Sequence, residues 1–208
     1  QHYSIIVATG ETKQKIADLI KDKAPGNVAH IESSAAFLVY CIDFSNIKLS
    51  FDIEGGDFDI SNQYEPLLIG SMDVGIAMQN ATLAAESLGY GIVYCGGVRG
   101  FAKGISELLN IPENALFLCG LSIGVIDEEK STEKVKPRLP HEANVGYNEF
   151  PKSNEEVLKQ YRQTMIDFAE ARETKTWTKK FADFYAQPSG IEAVTKELLE
   201  KNGFVSKK

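Results

Sequence analysis

The sequence predicts one domain of the α/β or α+β class, and three observations lead to this prediction. The chain has 208 residues, more than a typical domain of about 150 residues but too few for two. Hydrophobic residues make up 43% and charged residues 25%, which are the proportions of an ordinary globular protein. Strand-like and helix-like segments alternate along the first two thirds of the chain, and no internal repeat or long linker divides it.

Short apolar segments predict the strands, and a helical spacing of apolar residues predicts the first helices. The predicted strands are Tyr3–Ala8, Ala36–Phe44, Ile92–Tyr94 and Ala115–Ile123. The predicted helices in this part are Glu11–Lys23 and Ala102–Leu109. The stretch 49–62 is rich in Asp and Gly, so we expect an irregular connection there.

A long apolar helix is predicted from Asn62, which stands three residues before Glu65 as in a capping box, to Leu88 before Gly89. It is apolar nearly all round, and its small residues are Gly70, Ser71, Gly75, Ala77, Ala81, Ala84 and Ala85. Such a helix must be covered on every side, which favours a homodimer. The alternative is a core helix within one chain, in which Asp73 needs an internal hydrogen-bond partner.

The last third of the chain has a different character. Residues 127–147 are predicted to form a polar, extended segment. Helices then begin at Ser153 and Ser189, each three residues before a Glu, and the second ends at Asn202-Gly203. Residues 150–208 are therefore predicted to be a helical C-terminal extension of the same single domain, which spans residues 1–208.

Charge and cysteine usage restrict the possible partners. The net charge is −7, which argues against nucleic acid as a partner. Residues 61–128 include only 2 basic but 7 acidic residues, whereas residues 129–208 include 15 basic and 13 acidic residues. The most apolar stretch, 67–85, contains Asp73 and does not qualify as a membrane span. Cys41, Cys95 and Cys119 lie in apolar runs, which predicts free thiols in a reducing, cytoplasmic compartment.

Two motifs are candidates for ligand binding. Gly96 and Gly97 follow the third strand, where glycines let backbone N–H groups approach a flat or anionic ligand. An ordinary turn remains the alternative. Lys136 and Arg138 flank Pro137, which stiffens the backbone and presents two cations as a phosphate clamp. A solvated basic loop remains the alternative for this motif.

No side-chain catalyst and no metal site is predicted. The histidines His2, His30 and His141 lack metal-ligand spacing, and no nucleophile motif or phosphate-binding loop is present. Chemistry by this chain therefore requires an organic cofactor.

Three motifs together resemble the FMN-dependent nitroreductases, most closely the NADPH-preferring oxygen-insensitive nitroreductase and flavin reductase branch. They are AMQNATLAAESLG at 77–89, VYCGGVR at 93–99 and VKPRLP at 135–140, in the order and spacing of that family. The resemblance extends over essentially the whole chain, including Thr176-Trp177. It implies an α+β fold with a mixed central sheet flanked by helices. It also implies a homodimer in which the long central helix forms much of the interface and two FMN molecules lie between the subunits.

The resemblance also implies the site residues and the reaction. The residues implied to bind FMN are Gln1 before the first strand, Tyr94, Cys95, Gly96 and Gly97 along the isoalloxazine edge, and Lys136 and Arg138 at the ribityl chain and phosphate. The implied reaction is ping-pong: NADPH or NADH donates hydride to flavin N5, and a small-molecule electron acceptor then binds in the same pocket. The acceptors in the family are nitroaromatics, quinones, azo compounds and flavins. No side-chain acid or base is implied.

The sequence departs from the family pattern in three places. The N-terminal helix and its phosphate-binding arginine motif are not in the sequence, so we expect that a few dozen residues are missing from the protein or from the chain given. Val28 stands where the branch carries a flavin-binding Gln. Glu173 within the stretch 172–175 is unfavourable for the NADPH 2′-phosphate and leaves the choice between NADPH and NADH open.

Other functions remain possible at this point. The main alternative is a flavin-binding or storage protein without significant turnover. A non-enzymatic dimer on a degenerate flavoprotein scaffold and a nucleotide-binding protein without redox chemistry are the others.

Overall fold

The computed structural model describes residues 1–22, 24–61, 63–129, 131, 135–152, 154–169 and 175–206. The chain forms two compact units. The first consists of Gln1–Glu129 with Gly190–Lys208, and the second consists of Lys130–Ser189.

A four-stranded sheet forms the centre of the first unit. The strands are β1 (Tyr3–Ala8), β2 (Ala36–Asp43), β3 (Tyr90–Cys95) and β4 (Ala115–Val125). Their order is β1-β2-β4-β3, and all three neighbouring pairs are antiparallel. The parallel pair that a mixed sheet requires is therefore not found among the described strands. All four predicted strands are confirmed; β3 and β4 are longer than predicted, and β2 ends one residue earlier.

The helices are numbered in chain order. Those of the first unit are α1 (Gly10–Ile20), α2 (Pro25–Ser33), α3 (Ser45–Glu54), α4 (Glu65–Ser87), a short 3-10 helix (Gly96–Phe101), α5 (Ala102–Leu108) and α9 (Gly190–Lys201). Those of the second unit are α6 (His141–Asn144), α7 (Glu155–Ala169) and α8 (Trp177–Ala186). Helices around an antiparallel sheet make this an α+β protein, as predicted.

The prediction of an irregular connection over 49–62 is wrong, because its first part belongs to α3. This helix has no buried residue, so its sequence lacks the apolar stripe by which helices are identified. It ends at Gly55, whose φ of 74° is the left-handed conformation typical of a helix stop. Helix α1 ends earlier than predicted, at Ile20, and the predicted end at Lys23 lies outside the described residues.

Helix α4 packs one face on the sheet. Its buried residues include Gly70, Val74, Met78 and Thr82, which are spaced one helical turn apart. A Cβ atom on Gly70 would clash with Cγ2 of Ile42, so glycine permits the close approach to β2. The helix stops before Gly89, whose φ is 81°, as predicted. The helix begins at Glu65, after Tyr64 and not at the predicted Asn62, which itself lies outside the described residues.

Helices α1, α2 and α5 also contribute to the hydrophobic core. Ile16, Ile31 and Ile105, one from each of α1, α2 and α5, have no exposed surface. The ring of Phe37 on β2 is also fully buried and occupies the space beside Gly120 on β4. A side chain at position 120 would therefore collide with this ring.

We expect Gly120→Ala to lower the free energy of unfolding by about 1–3 kcal/mol, because overpacking a core forces side chains and backbone to shift. Gly190→Ala is the matched control, since nothing lies within 4 Å of its Cβ position and its φ is not positive. Denaturant titrations of both variants measure the effect. Equal stability of the two variants would contradict the packing of Phe37 against Gly120.

Helices α7 and α8 of the second unit begin with polar capping residues. Asn154 Oδ1 accepts hydrogen bonds from the backbone N–H groups of Glu156 at 2.9 Å and Val157 at 3.3 Å. The cap of α7 is thus Asn154, whereas the predicted cap, Ser153, lies outside the described residues. Thr176 Oγ1 accepts from the N–H of Lys179 at 3.3 Å and caps α8.

Helix α9 of the first unit begins and ends as predicted. It starts at Gly190, directly after Ser189, and stops before Asn202-Gly203. Gly203 has a φ of 77°, and the side chain of Asn202 donates a hydrogen bond to the carbonyl of Ala115 at 2.7 Å. None of the described helices has both the length and the apolar composition needed to cross a membrane.

Candidate functional site

The exit of strand β3 presents open backbone. The strand ends at Cys95, and Gly96 and Gly97 begin the 3-10 helix as exposed residues. The first N–H groups of a helix lack intrahelical acceptors. No atom lies within 4 Å of the position that a Cβ on Gly96 would occupy. The backbone of Gly96 is therefore accessible to the edge of a flat ligand.

Asn27 borders this glycine pair. A Cβ on Gly97 would lie 2.9 Å from Nδ2 of Asn27, in the first turn of α2. Its neighbour Val28 is only 8% exposed and belongs to the hydrophobic core. The side-chain amide beside Gly97 thus comes from Asn27. No sequence motif distinguishes Asn27, although it stands next to Val28, the residue aligned with a flavin-binding Gln.

Tyr94 and Cys95 turn their side chains to opposite faces of the sheet. The Tyr94 hydroxyl lies 2.6 Å from Thr82 Oγ1 and donates to Gln79 Oε1 at 3.2 Å, both on α4. Cys95 has no exposed surface, and its Sγ lies 3.7 Å from Ser122 Oγ. Burial raises the pKa of the Cys95 thiol, so it stays protonated and unreactive.

The structure does not bring Gln1 to the glycine pair within one chain. Gln1 is exposed and precedes β1, at one edge of the sheet, whereas Gly96 follows β3 at the other edge. Three strand spacings of about 4.8 Å separate these edges, or about 14 Å.

Asp73 has the internal partner that its position on α4 requires. Its Oδ2 accepts a hydrogen bond from the backbone N–H of His2 at 2.9 Å and lies within hydrogen-bond distance, 3.0 Å, of His2 Nδ1. These hydrogen bonds lower the pKa of Asp73. Asp73 thereby links α4 to the start of β1.

In the second unit, Lys136 and Arg138 are exposed on either side of Pro137. The Pro137 carbonyl accepts a hydrogen bond of 3.1 Å from the hydroxyl of Tyr161, which is 6% exposed. Tyr161 also packs edge-on against Trp177, with ring centroids 5.1 Å apart. Among the described residues no carboxylate pairs with Lys136 or Arg138. The segment is fixed while its two cations remain available for an anion.

The stretch compared with the NADPH 2′-phosphate site is described only in part. Residues 172–174 lie outside the described residues. Lys175 and Lys179 both form ion pairs with Asp183, at 2.8 and 2.6 Å, and these cations lower the pKa of Asp183. In the described parts of the chain no three His, Cys, Asp or Glu residues are grouped to hold a metal ion.

Comparison with known proteins gives matches over nearly the whole chain. Residues 1–125 match the Nitroreductase family, and residues 136–207 match the Nitroreductase family, C-terminal domain. A Cr(VI) reductase of a Pseudomonas species is 37% identical over 209 aligned positions, which cover 98% of this chain and 82% of that protein. An FMN reductase [NAD(P)H] of Bacillus subtilis is 35% identical over 208 positions, covering 96% and 79%.

A solved structure shows the same fold. The NADPH:FMN oxidoreductase of Vibrio harveyi, complexed with NAD+, superposes with a TM-score of 0.82 at 34% identity, covering 100% of this chain and 82% of that one. The resemblance and the predicted nitroreductase-like α+β fold are thus confirmed, while the sheet of the described strands is antiparallel and not mixed.

Proposed function

This chain belongs to the nitroreductase family and is an NAD(P)H-dependent oxidoreductase, and we propose that its cofactor is FMN. The proposed electron acceptors are small molecules: nitroaromatics, quinones, azo compounds and flavins. The donor is NADPH or NADH. The observation that carries the proposal is the open, glycine-lined exit of β3 in a chain of this family.

We place the isoalloxazine edge along Tyr94–Gly97. Support comes from the free space over Gly96 and from the exposure of both glycines. Tyr94 and Cys95 contribute through their backbones, because the Tyr94 hydroxyl bonds to α4 and the Cys95 thiol is buried. The N–H groups of this segment would act as donors to the ring edge, where negative charge develops on reduction.

We place the ribityl chain and phosphate of FMN at Lys136 and Arg138. Both cations are exposed and carry no ion pair in the described part of the second unit, and Tyr161 fixes the proline between them. Charge-assisted hydrogen bonds to phosphate are the strong ones in proteins. Gln1 remains a predicted flavin contact, at a part of the cofactor other than the ring edge beside Gly96.

FMN supplies the hydride-accepting centre when bound. The chain itself positions the ring, donates hydrogen bonds and neutralises phosphate. No acid or base is assigned among the side chains, and the buried Cys95 thiol, whose pKa is raised, is not assigned as a nucleophile.

We propose a homodimer whose interface includes α4. Four large apolar side chains on this helix are exposed by 57–71%: Leu68, Met72, Ile76 and Leu83. Contiguous exposed apolar surface of this kind marks an interaction site, and a second copy of the chain offers the same surface. The free thiols Cys41, Cys95 and Cys119 support the proposed cytoplasmic location.

The visible absorption spectrum of protein purified without added flavin tests the proposal. We expect a bound-flavin band that bleaches on anaerobic addition of NADPH or NADH, and the faster donor identifies the preference. A yellow protein that neither donor bleaches would instead be a flavin-storage protein. A colourless protein that binds no added FMN would overturn the proposal.

A further inference from the structure

A small hydrogen-bonded cluster joins the end of β3 to α4. It consists of Tyr94 on β3 with Thr82 and Gln79 on α4, and we call it the Tyr94 cluster. The Tyr94 hydroxyl donates to Gln79 Oε1 at 3.2 Å, so it accepts a hydrogen bond from the Thr82 hydroxyl at 2.6 Å. Thr82 is 4% exposed, on the face of α4 that packs against the sheet. Removing the phenol would leave a buried hydroxyl without this partner, which is costly.

Cys95 and Val98 anchor this segment in the hydrophobic core, but among the described residues the strand exit has few other polar side-chain anchors. Cys95, Gly96 and Gly97 follow Tyr94 directly. The Cys95 thiol makes only long contacts, at 3.6 Å to the Val93 carbonyl and 3.7 Å to Ser122. The two glycines have no side chains. Within the part of the chain that the structure describes, the phenol of Tyr94 is therefore the polar side-chain link between this strand exit and α4.

Tyr90, at the start of the same strand, provides a comparison. Tyr90 pairs with Val125 and Tyr94 pairs with Leu121, so both rings lie on the same face of the sheet. Their exposures are nearly equal, 42% and 44%. Within the described residues, no side-chain hydrogen bond of Tyr90 is found. The link to α4 is thus a property of the end of β3 that carries the glycine pair.

We propose that Tyr94 is a positioning residue, which acts with Thr82 and Gln79 to hold the Cys95–Gly97 backbone in the place where it receives the flavin ring. This inference rests on the proposed function, since it concerns the same FMN site. Preorganised donors bind better than donors that must first be ordered. Because Ile76 and Leu83 project from the exposed side of the same helix, α4 would connect the flavin segment with the proposed dimer interface.

The test is the dissociation constant for FMN, measured by the quenching of flavin fluorescence on adding the flavin-free protein. We expect Tyr94→Phe and Thr82→Val each to weaken FMN binding about 3- to 10-fold, the range for one hydrogen bond. The double variant should be no weaker than the poorer single variant, because both changes break the same link. Thr82→Ser keeps the hydroxyl and should restore wild-type binding.

Tyr90→Phe is the matched control and should bind FMN as the wild type does. Unchanged FMN binding in Tyr94→Phe would overturn this inference while leaving the proposed function intact. Equal weakening in Tyr90→Phe would also overturn it, since the effect would then belong to the strand as a whole. If Tyr94→Phe does not fold, the Thr82→Val and Thr82→Ser pair decides the question. A wild type that binds no FMN would overturn both proposals.

Discussion

Ile76→Glu is expected to convert the proposed homodimer into monomers and to abolish measurable FMN binding. Ile76 lies midway along α4 and is 71% exposed in the isolated chain, between Met72 and Leu83 on the same side of the helix. A dimer that covers this surface would bury the new carboxylate, which costs several kcal/mol without a partner. We therefore expect the dissociation constant of the dimer to rise by at least about 1,000-fold, since each factor of ten corresponds to about 1.4 kcal/mol.

Sedimentation at several protein concentrations measures the change, with flavin content determined on the same samples. Leu88→Glu is the matched control. Leu88 is 74% exposed at the end of α4, but it is turned about 120° from Ile76 around the helix axis. We expect this control to remain a yellow dimer. An Ile76→Glu protein that stays dimeric would remove α4 from the interface.

Strands and strongly apolar helices were predictable from the sequence because their periodicity reflects burial within the chain. Helix α4 is instructive in this respect. Its apolar character on all sides predicted complete coverage, yet only the face with Gly70, Val74 and Met78 is buried in the chain. Helix α3 was missed for the opposite reason, since none of its residues is fully buried and only Ile47 packs partly against the core. A hydrophobic pattern indicates that a surface is covered, but it does not indicate whether the same chain or a partner covers it.

The site residues were predictable only as local motifs. The glycine pair and Lys136-Pro137-Arg138 stand together in the sequence, and resemblance to a family suggested their roles. The contact of Asn27 with Gly97 joins residues 70 positions apart, and the bonds of Tyr94 reach back to Thr82 and Gln79 on another element. Such pairs depend on how α2 and α4 pack on the sheet, so local sequence patterns do not predict them.

The charge distribution supports the proposed role of Lys136 and Arg138 as cations for an anionic cofactor. Between residues 61 and 128 the basic residues are Arg99 and Lys103, and Lys103 is paired with Glu197 at 2.7 Å. We expect Lys136→Gln and Arg138→Gln each to weaken FMN binding about 10- to 100-fold, because each removes a charge-assisted hydrogen bond to phosphate. Fluorescence titration with FMN measures both effects.

Titration with riboflavin distinguishes the loss of phosphate binding from a general disruption of the site, because riboflavin has the same ring as FMN but no phosphate. Its affinity should change little in either variant, so the preference for FMN over riboflavin should fall with the FMN affinity. Lys152→Gln is the control, because Lys152 is an 86% exposed lysine of the same unit, 3.9 Å from Glu149. If riboflavin binding falls as much as FMN binding, the lost cations support the fold of the segment held by Tyr161 and Pro137. The assignment of the phosphate to Lys136 and Arg138 would then be wrong.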